Sequence, residues 1–414
     1  MSNYNFEKDK NKINRIMEGE KLKILMINHH RLFKSIRALS IAEYLTKRGH
    51  YVTLLVTADK AKFRLSYKMI NGVKVIETPD LLWGKLRSGW DIWNMVRKIF
   101  YLLTSSEKFN LIHIFETRPS TIFPTLLYLR RNKIPLVIDW VDWWGGKGGI
   151  IDEFRPKWYK YTLGPLEEYF EVHFRPIANG TTVISSALAE RAINLGVNPQ
   201  KILILPPGSR ADLFKPMNKE ECRVNLSFPN KTPILGFSSL DTHYDIDLVF
   251  RALVIVKSKY PDVKLLITGN INQKVISIAR QYQVDSALLI TGFLPYQELP
   301  KYLNCCDIFL VPLPPKNYNI GRWPSKIGDY IGVGRPIVSN PTGDIKRIIE
   351  TYKIGVLAEP NPEDFAEKII YLLDNPNVAK ELGNNARKLA ETELSWNTLI
   401  MKLEEFYYKL ISES

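Results

Sequence analysis

The sequence is poor in cysteine and has no long hydrophobic run. Only three cysteines occur in 414 residues, at positions 222, 305 and 306. An odd number that includes an adjacent pair excludes a disulfide framework, and no Cys/His spacing resembles a zinc site. No stretch of 18 apolar residues is present, which excludes a membrane-spanning helix. Residues 1–20 are polar and do not resemble a signal peptide, so we expect a flexible lead-in on a cytoplasmic protein.

Positive charge is abundant, but it is unevenly distributed. The chain has 57 basic and 43 acidic residues, a net charge of +14. Residues 1–210 hold 33 basic and 19 acidic side chains, whereas residues 211–414 hold 24 of each, so the whole excess lies in the first half. Seven of the nine tryptophans lie there too. A basic, aromatic half indicates an anionic partner, either a membrane surface or a nucleic acid; the alternative is a solvated basic surface.

Short apolar segments alternate with helical segments from residue 21 onward. Residues 22–28 and 51–57 are typical of buried parallel strands, and residues 36–50 between them have a helical apolar period. The same alternation restarts at residue 233. The pattern predicts an α/β fold of two doubly wound, Rossmann-like domains, whose ligands bind outside the carboxyl ends of the strands.

Composition sets the expected domain boundaries. We expect an N-terminal domain over residues 21–205 and a C-terminal domain over residues 222–394. Residues 206–221 are rich in proline and glycine and predict a linker. Residues 395–414 predict a C-terminal helix that could pack back on the N-terminal domain.

Two stretches of the second half carry a family resemblance. They are GFLPYQELPKYLNCCDIFLVPL at 292–313 and PSKIGDYIGVGRPIVSNPTGDIKRII at 324–349, and the stretch LPPGSRADLFKP and the early RGH agree in order and spacing. Together they resemble glycosyltransferase family 4. The resemblance implies the GT-B architecture, with two domains facing each other across a cleft. It also implies a retaining, nucleotide-sugar-dependent reaction without a metal or other cofactor, with the donor on the C-terminal domain and the acceptor on the N-terminal domain.

The C-terminal domain is therefore predicted to hold the donor. The resemblance puts Asp329 in the place of the second Glu of the family's E-x7-E motif, where it would accept hydrogen bonds from a ribose diol; the alternative is an Asp that stabilises a helix N-terminus. Lys326 and Arg322 could bring positive charge to the diphosphate, or could be solvated surface residues. The other predicted donor contacts lie at helix starts and turns: Gly292, Phe293, Gly321, Ser325 and Gly343.

Three charged groups of the family pattern are replaced in this sequence. The first Glu of E-x7-E falls at Gly321, and the Arg and Lys that follow the first strand of the domain fall at Ser239 and Tyr244. Arg322, Lys326 and Arg210 are the candidates to take over their charge. The alternative is a divergent, non-catalytic GT-B homologue that binds a glycan or a protein partner.

A Trp- and Gly-rich stretch, VIDWVDWWGGKGG at 137–149, follows a strand of the first domain. Where the family has a His-Asp pair, this sequence has Val141 and Asp142, and we predict Asp142 as a catalytic residue. The tryptophans are suited to stacking on sugar rings. The alternatives are a flexible loop over a Trp-rich core patch and a hydrolase with Asp139 and Asp142 as paired carboxylates. Three residues of the stretch could cradle a phosphate: Gly145, Gly146 and Lys147.

The segment 29–35 after the first strand is predicted to be a loop at the cleft. His29 in this loop is the second predicted catalytic residue, with a plain surface histidine as the alternative. His113, within a later strand, is predicted to be a core histidine. Three further strand-end residues are predicted to contact phosphate or acceptor: His30, Glu116 and Arg118.

Two basic, aromatic stretches of the first half indicate a membrane surface. Residues 81–108 combine Trp83, Trp93 and Phe100 with basic residues and resemble an interfacial helix from about residue 89; residues 154–170 form a second such patch. The alternative is an ordinary core helix. Signatures of nucleic-acid readers are missing, so nucleic acid is the less favoured partner. The sequence therefore predicts a peripheral protein on the inner face of the membrane, acting on a lipid-linked or surface-glycan acceptor.

Overall fold

The computed structural model describes residues 21–59, 63–81, 88–238 and 246–414. They divide into two compact units, each built around one β-sheet. The first unit runs to Pro206 and also contains Trp396–Ser414, and the second is Pro207–Ser395. Several of the sequence predictions lie outside the described residues: the lead-in 1–20 and the positions of Trp83, Lys85, Arg87, Ser239 and Tyr244.

An eight-stranded sheet forms the centre of the first unit. Its strands are β1 (Lys23–Arg31), β2 (Tyr51–Thr57), β3 (Ser66–Ile70), β4 (Val73–Thr78), β5 (Leu111–Phe115), β6 (Leu136–Trp140), β7 (Gly180–Val183) and β8 (Ile202–Ile204). They lie in the order β3-β4-β2-β1-β5-β6-β7-β8, and every neighbouring pair is parallel except β3 with β4. The sequence did not predict β3, because this edge strand is largely exposed and lacks the apolar run of a buried strand.

Helices cover the strands of the first unit. They are α1 (Ile36–Lys47), α2 (Ile92–Thr104), α3 (Pro119–Leu129), α4 (Ile150–Phe154), α5 (Lys157–Tyr161), α6 (Leu163–His173) and α7 (Ser186–Asn194), with 3-10 turns at Leu32–Lys34 and Pro199–Lys201. Apolar residues of the central strands β1 and β5 point to both faces and are buried, as a doubly wound sheet requires.

A six-stranded, all-parallel sheet forms the centre of the second unit. Its strands are β9 (Ile234–Ser238), β10 (Lys264–Thr268), β11 (Leu288–Ile290), β12 (Ile308–Val311), β13 (Ile337–Ser339) and β14 (Gly355–Leu357), in the order β11-β10-β9-β12-β13-β14. Its helices are α8 (Lys219–Asn225), α9 (Ile246–Lys259), α10 (Gln273–Gln281), α11 (Leu299–Leu303), α12 (Asn317–Ile320), α13 (Lys326–Gly332), α14 (Gly343–Tyr352), α15 (Pro362–Asp374) and α16 (Pro376–Glu391), with a 3-10 turn at Asp285–Ala287.

The chain ends in a long helix, α17 (Trp396–Ser412), which packs against α1 in the first unit. Its Tyr407 hydroxyl and the Nδ1 atom of His113 are hydrogen-bonded at 2.6 Å, and its Glu404 lies 2.7 Å from Nε2 of His50. His113 is fully buried, which confirms the prediction of a core histidine. No helix in the described part of the chain combines the length and hydrophobicity needed to cross a bilayer.

Of residues 206–221, predicted to be a linker, all but the first are built into the second unit. The Ser209 hydroxyl donates to the carbonyl of Gly328 at 2.6 Å, and Phe214 is fully buried. Nη1 of Arg387 donates to the Phe214 carbonyl at 2.6 Å. The proline and glycine content of this stretch therefore marks a turn-rich packed segment, and the prediction of a linker does not fit the structure.

Each sheet has one point at which the chain order reverses. It lies between β1 and β5 in the first sheet and between β9 and β12 in the second. At such a reversal the loops from the carboxyl ends of the two strands run to opposite faces, and the crevice that they leave is where ligands bind in doubly wound sheets. The candidate site of each unit is therefore expected at the carboxyl ends of these strands.

Candidate functional site

Lys326 brings positive charge to the reversal point of the second sheet. Its Nζ atom donates to the carbonyl of Ser238 at 3.0 Å and lies 4.1 Å from the centre of the Phe237 ring. Ser238 is the last residue of β9, and its amide donates to the Tyr330 hydroxyl at 2.7 Å. Tyr330 in turn stacks on Phe309 of β12, with ring centres 3.8 Å apart. The ammonium group is thus fixed at the carboxyl end of β9, where a sheet of this type binds anionic ligands.

Asp329 lies in the first turn of α13, one turn from Lys326. Its Oδ1 atom accepts a hydrogen bond from the Tyr296 hydroxyl at 2.8 Å. Burial raises the pKa of Asp329 to about 7, although this hydrogen bond and the positive charge of Arg210 lower it. Further hydroxyl donors would favour the charged form, and a ribose diol supplies two of them. Lys326, Asp329 and Arg210 are therefore brought into one neighbourhood.

The glycine turn at residue 292 reaches the same neighbourhood. Gly292 has φ 68°, and its carbonyl accepts the amide of Gly269, which ties together the carboxyl ends of β10 and β11. Phe293 follows with 64% of its surface exposed, and Tyr296 of the same loop holds Asp329. The loop thus places an exposed aromatic ring near α13.

The predicted contacts that precede α13 have local partners. Gly321 ends α12, and its amide donates to the Asn317 carbonyl at 3.0 Å. Nη1 of Arg322 donates to the side-chain carbonyl of Asn319 at 3.1 Å. Ser325 is exposed at the start of α13, and its hydroxyl does not cap the helix. The segment shapes the entry to α13, and a direct donor contact by any of these residues stays a prediction.

Gly343 starts α14 with φ 55°. A Cβ atom at this position would lie 2.7 Å from the Ile320 carbonyl oxygen, closer than real contacts allow. The glycine is therefore needed so that the turn after β13 can pass next to α12.

In the first unit, His29 and His30 belong to β1, which corrects the prediction of a loop. His29 is 4% exposed, its Nδ1 atom donates to the Phe115 carbonyl at 3.3 Å, and the two imidazole rings lie 4.0 Å apart. Burial, together with the charges of His30 and Arg118, keeps the pKa of His29 well below its usual value. A neutral ring with its proton on Nδ1 leaves Nε2 as an acceptor, so His29 can accept a hydrogen bond from a hydroxyl, while its lowered pKa disfavours full protonation. Its catalytic role stays a prediction.

Glu116 and Arg118 are internal groups, not the open contacts that the sequence predicted. Glu116 follows β5 with φ 65°, uncommon for a residue with a side chain, and its Oε1 atom accepts the amide of Val141 at 3.2 Å. Its Oε2 atom lies 3.5 Å from Nη2 of Arg175. Burial raises the pKa of Glu116 to about 7, against the charges of Arg175 and Arg118. Arg118 itself is buried and lies 3.4 Å from Glu167, so both residues hold the strand ends together.

The glycine-rich stretch does not form the predicted phosphate cradle, because carboxylates already accept its amides. The amides of Trp144 and Gly145 donate to the two oxygens of Glu171 at 3.1 and 2.6 Å. The amide of Gly148 donates to Asp152 at 2.9 Å. A phosphate would have to displace both carboxylates. The two other residues of the predicted cradle are exposed: Gly146 and Lys147.

The two aspartates of this stretch have different environments. Asp139 is fully buried, its carboxylate receives two hydrogen bonds from Arg37 at 2.8 and 2.9 Å, and Thr182 donates to it at 2.5 Å. Asp142 is half-buried, and its carbonyl accepts the indole N–H of Trp140 at 2.8 Å. Asp139 is therefore part of the framework, which argues against paired catalytic carboxylates. Asp142, in contrast, is partly accessible to solvent.

Two family models match the chain. The model described as glycosyl transferases group 1 matches residues 218–389, and that of Glycosyltransferase Family 4 matches residues 35–212. Together they span most of both units. The chain belongs to glycosyltransferase family 4.

This family 4 member is similar to several known proteins. It is 21% identical over 270 residues to an uncharacterized glycosyltransferase of Methanocaldococcus jannaschii, covering 64% of this chain and 66% of that one. It is 22% identical over 244 residues to the GDP-mannose-dependent alpha-(1-6)-phosphatidylinositol monomannoside mannosyltransferase of Mycobacterium tuberculosis, covering 56% and 63% of the two chains. The chain thus spans just under two thirds of these relatives' length.

The solved structure of sucrose-phosphate synthase from Thermosynechococcus elongatus shares the fold of the family 4 chain. The TM-score is 0.77 at 15% identity, and the match covers 95% of this chain and 100% of that one. The two doubly wound sheets and this likeness establish the GT-B fold.

The sequence did not reveal the buried charges that organise the first unit of this glycosyltransferase. Glu167, Glu171 and Arg175 are all buried on α6 and its C-terminal end. Arg175 donates to the carbonyls of Glu171 and Asp139, each at 2.9 Å. The available signal was their spacing, since charged residues four apart share one helix face. A charged helix face is usually solvated, so this spacing does not by itself indicate burial.

We expect Asp329→Asn to gain stability relative to the wild type as the pH rises. With its raised pKa, the native carboxyl keeps its proton up to about pH 7, whereas the unfolded chain releases it near pH 4. The cost of burying the charged form is therefore absent at about pH 4 and complete above about pH 7, so wild-type stability falls across this window. An amide does not ionise and avoids this loss. Urea unfolding at three pH values measures the difference in the free energy of unfolding between Asp329→Asn and the wild type, with exposed Asp262→Asn as the control. A difference that does not change with pH would contradict the raised pKa of Asp329.

Proposed function

We propose that this protein is a retaining glycosyltransferase that moves a sugar from a nucleotide-sugar donor to a lipid-linked or surface-glycan acceptor at the inner face of the cell membrane. The second unit would bind the donor and the first the acceptor, with no metal or other cofactor. The mycobacterial relative is named as GDP-mannose-dependent and as acting on a phosphatidylinositol mannoside. That name supports a nucleotide-sugar donor and a lipid-linked acceptor here.

The position of Lys326 is the observation that carries the proposal. Its ammonium group is held at the carboxyl end of β9 by the Ser238 carbonyl and the face of Phe237. A leaving nucleoside diphosphate gains negative charge in the transition state, and a positive group held in place beforehand stabilises that charge without reorganisation. Asp329, one turn along the same helix, would accept the ribose hydroxyls. On the acceptor side, Asp142 and the neutral His29 are the proposed hydroxyl acceptors.

Helix α2 supports a membrane partner for the first unit. Its exposed apolar residues Ile92, Val96 and Phe100 are four apart and therefore share one face, and 70%, 43% and 56% of their surfaces are accessible. The Arg97 guanidinium lies 5.6 Å from the Phe100 ring centre. Lys98, in contrast, is fully buried and donates to the Asn28 carbonyl at 2.9 Å, so it does not add to the basic surface that the sequence suggested.

A second patch on the same unit fits the same partner. Trp158 and Tyr161 on α5 are 63% and 82% exposed, next to Lys157 and Arg155. Aromatic rings enter the headgroup region, and basic side chains are attracted by anionic lipid. We propose that these two patches dock the first unit on an anionic membrane surface, which would account for the location of the whole +14 charge excess.

Phe100→Ser is expected to lower binding to vesicles of phosphatidylglycerol and phosphatidylcholine about tenfold. The change removes most of one exposed ring from the apolar face, and full burial of such a ring contributes about 1.5–3 kcal/mol. Co-sedimentation of the full chain measures it, and Tyr371→Ser on α15, another exposed aromatic residue, is the control. Equal binding of the wild type to vesicles with and without phosphatidylglycerol would contradict the proposed surface.

A donor panel tests the proposed function. The full chain is incubated with UDP-, GDP-, ADP- and dTDP-sugars and a bacterial lipid extract, and the released nucleoside diphosphate is measured. We expect turnover of one donor class and a product that keeps the anomeric configuration. The glycine at position 321, where the family has a carboxylate, favours the non-catalytic alternative. Folded protein that turns over no donor would support that alternative and overturn the proposal.

A further inference from the structure

Glu171 organises the loop after β6 from the inside. The carboxylate of this α6 residue accepts the amides of Trp144 and Gly145 at 3.1 and 2.6 Å, and the indole N–H of Trp140 at 3.2 Å. Arg191 of α7 approaches it to 3.7 Å. Three donors on one buried carboxylate leave the loop little freedom, so its side chains are set before any ligand arrives.

Two indole rings at the end of β6 lie against arginine side chains. The Arg175 guanidinium lies 4.4 Å from the centre of the Trp140 ring, and Arg191 lies 5.4 Å from Trp140 and 4.5 Å from Trp143. Arg191 thus contacts both indole rings. The Trp143 indole N–H and Nη1 of Arg191 each donate to the Gly145 carbonyl at 3.0 Å.

Of the two indole rings, Trp143 is the one that reaches solvent. Trp140 is fully buried, whereas Trp143 is half-buried and directly follows the half-buried Asp142. A ring that is held by a cation on one side and by a hydrogen bond at its nitrogen, at the carboxyl end of a parallel strand, has the properties of a binding platform.

The chemistry of that platform selects a sugar. The face of an indole ring carries partial negative charge, and the C–H bonds on the apolar face of a hexose carry partial positive charge, so the two stack. A neighbouring carboxylate accepts hydrogen bonds from the hydroxyls at the rim of the ring. A bare lipid phosphate would meet the negative face of the indole, which disfavours it.

We propose that Trp143 is the stacking platform of a sugar subsite in the first unit, so that the acceptor presents a hexose ring there. The inference rests on the proposed function and narrows its acceptor to one that already carries a sugar. Glu171 and Arg191 are positioning residues of the subsite, because they fix the loop and the ring.

Saturation-transfer NMR on the full chain tests the subsite with defined probes, the methyl glycosides of glucose, galactose, mannose and N-acetylglucosamine. Trp143→Phe keeps an aromatic face, and Trp143→Leu keeps apolar volume without one. Tyr371→Leu, which removes an exposed aromatic ring from α15 of the second unit, is the matched control. We expect at least one glycoside to bind, its dissociation constant to rise about tenfold in Trp143→Leu, and binding to be retained in Trp143→Phe and Tyr371→Leu.

Three results would overturn the subsite: no binding of any glycoside to the wild type, equal binding by Trp143→Leu, or binding of uridine and guanosine in place of the glycosides. Titration with nucleotide sugars is run in parallel. Wild-type protein that binds a nucleotide sugar but no glycoside means that the subsite alone fails. Glycoside binding without any nucleotide-sugar binding means that the proposed transferase function fails while the subsite stands.

Discussion

Lys326→Met is expected to lower kcat/KM for the preferred nucleotide sugar by about a hundredfold to a thousandfold. That is the usual effect of removing one preorganised charged or hydrogen-bonding group from a developing anion. The position of the ammonium is fixed by the Ser238 carbonyl at 3.0 Å and the Phe237 ring at 4.1 Å, so its charge is in place before the reaction, and a water molecule in its place would not supply that charge. Methionine keeps the stem and removes only the charge.

Two companion variants separate charge from shape at this position. Lys346→Met, the same change at an exposed position of α14, should leave the rate unchanged. Lys326→Arg restores the positive charge with a different geometry and should recover only part of the rate, because guanidinium and ammonium groups are not interchangeable at a fixed site. If the Lys326→Met enzyme were as active as the wild type, Lys326 would not be part of the donor site, and the proposed site would lose its central residue.

Asp139→Asn is expected to destabilise the protein by about 3–5 kcal/mol, the usual cost of breaking a buried ion pair. Asp139 is fully buried, and the substitution leaves Arg37 without the carboxylate that pairs with it. Thr182 links Asp139 to His113 through hydrogen bonds of 2.5 and 3.2 Å, and His113 is bonded to Tyr407 of α17. The loss should therefore also loosen the attachment of the C-terminal helix.

The effect of Asp139→Asn should depend on pH. Burial alone would raise the pKa of Asp139, but the charge and hydrogen bonds of Arg37 bring it below the usual value. The ion pair therefore contributes its full stability above the ordinary Asp pKa of about 4 and loses it as the pH falls through the native value. Urea unfolding should show a large difference at neutral pH that shrinks in acid. Asp59→Asn, in an exposed pair with Arg31, should cost about 1 kcal/mol or less; an equal cost at both sites would contradict the account.

The sequence was informative about the sheets because their strands are short apolar runs between helices. Residues 51–57 match β2 in full, and Lys326 begins a helix as predicted. Apolar runs do not predict the end of a strand that continues into polar residues. His29 and His30 extend β1 beyond its apolar part, and the pattern therefore indicated a loop.

The buried contacts of the first unit could not be predicted, because they join residues that are distant in sequence. In the sequence, the glycines at 145 and 146 resemble a phosphate-binding loop. In the structure, the amide of Gly145 donates to the carboxylate of Glu171, which lies 26 residues away in sequence. Arg37 and Asp139 are 102 residues apart, and neither is unusual in its own segment. The sequence indicated that the candidate site residues lie at the strand ends. Only the structure distinguished buried charged residues with a structural role from charged residues near solvent.

Native mass spectrometry of the full chain with a panel of nucleotide sugars tests the central claim, that the second unit binds the donor. We expect a one-to-one complex with at least one nucleotide sugar, and a much weaker complex for Lys326→Met than for Lys346→Met. Folded wild-type protein that forms no complex with any nucleotide sugar, or a complex that is equally strong in both variants, would contradict it.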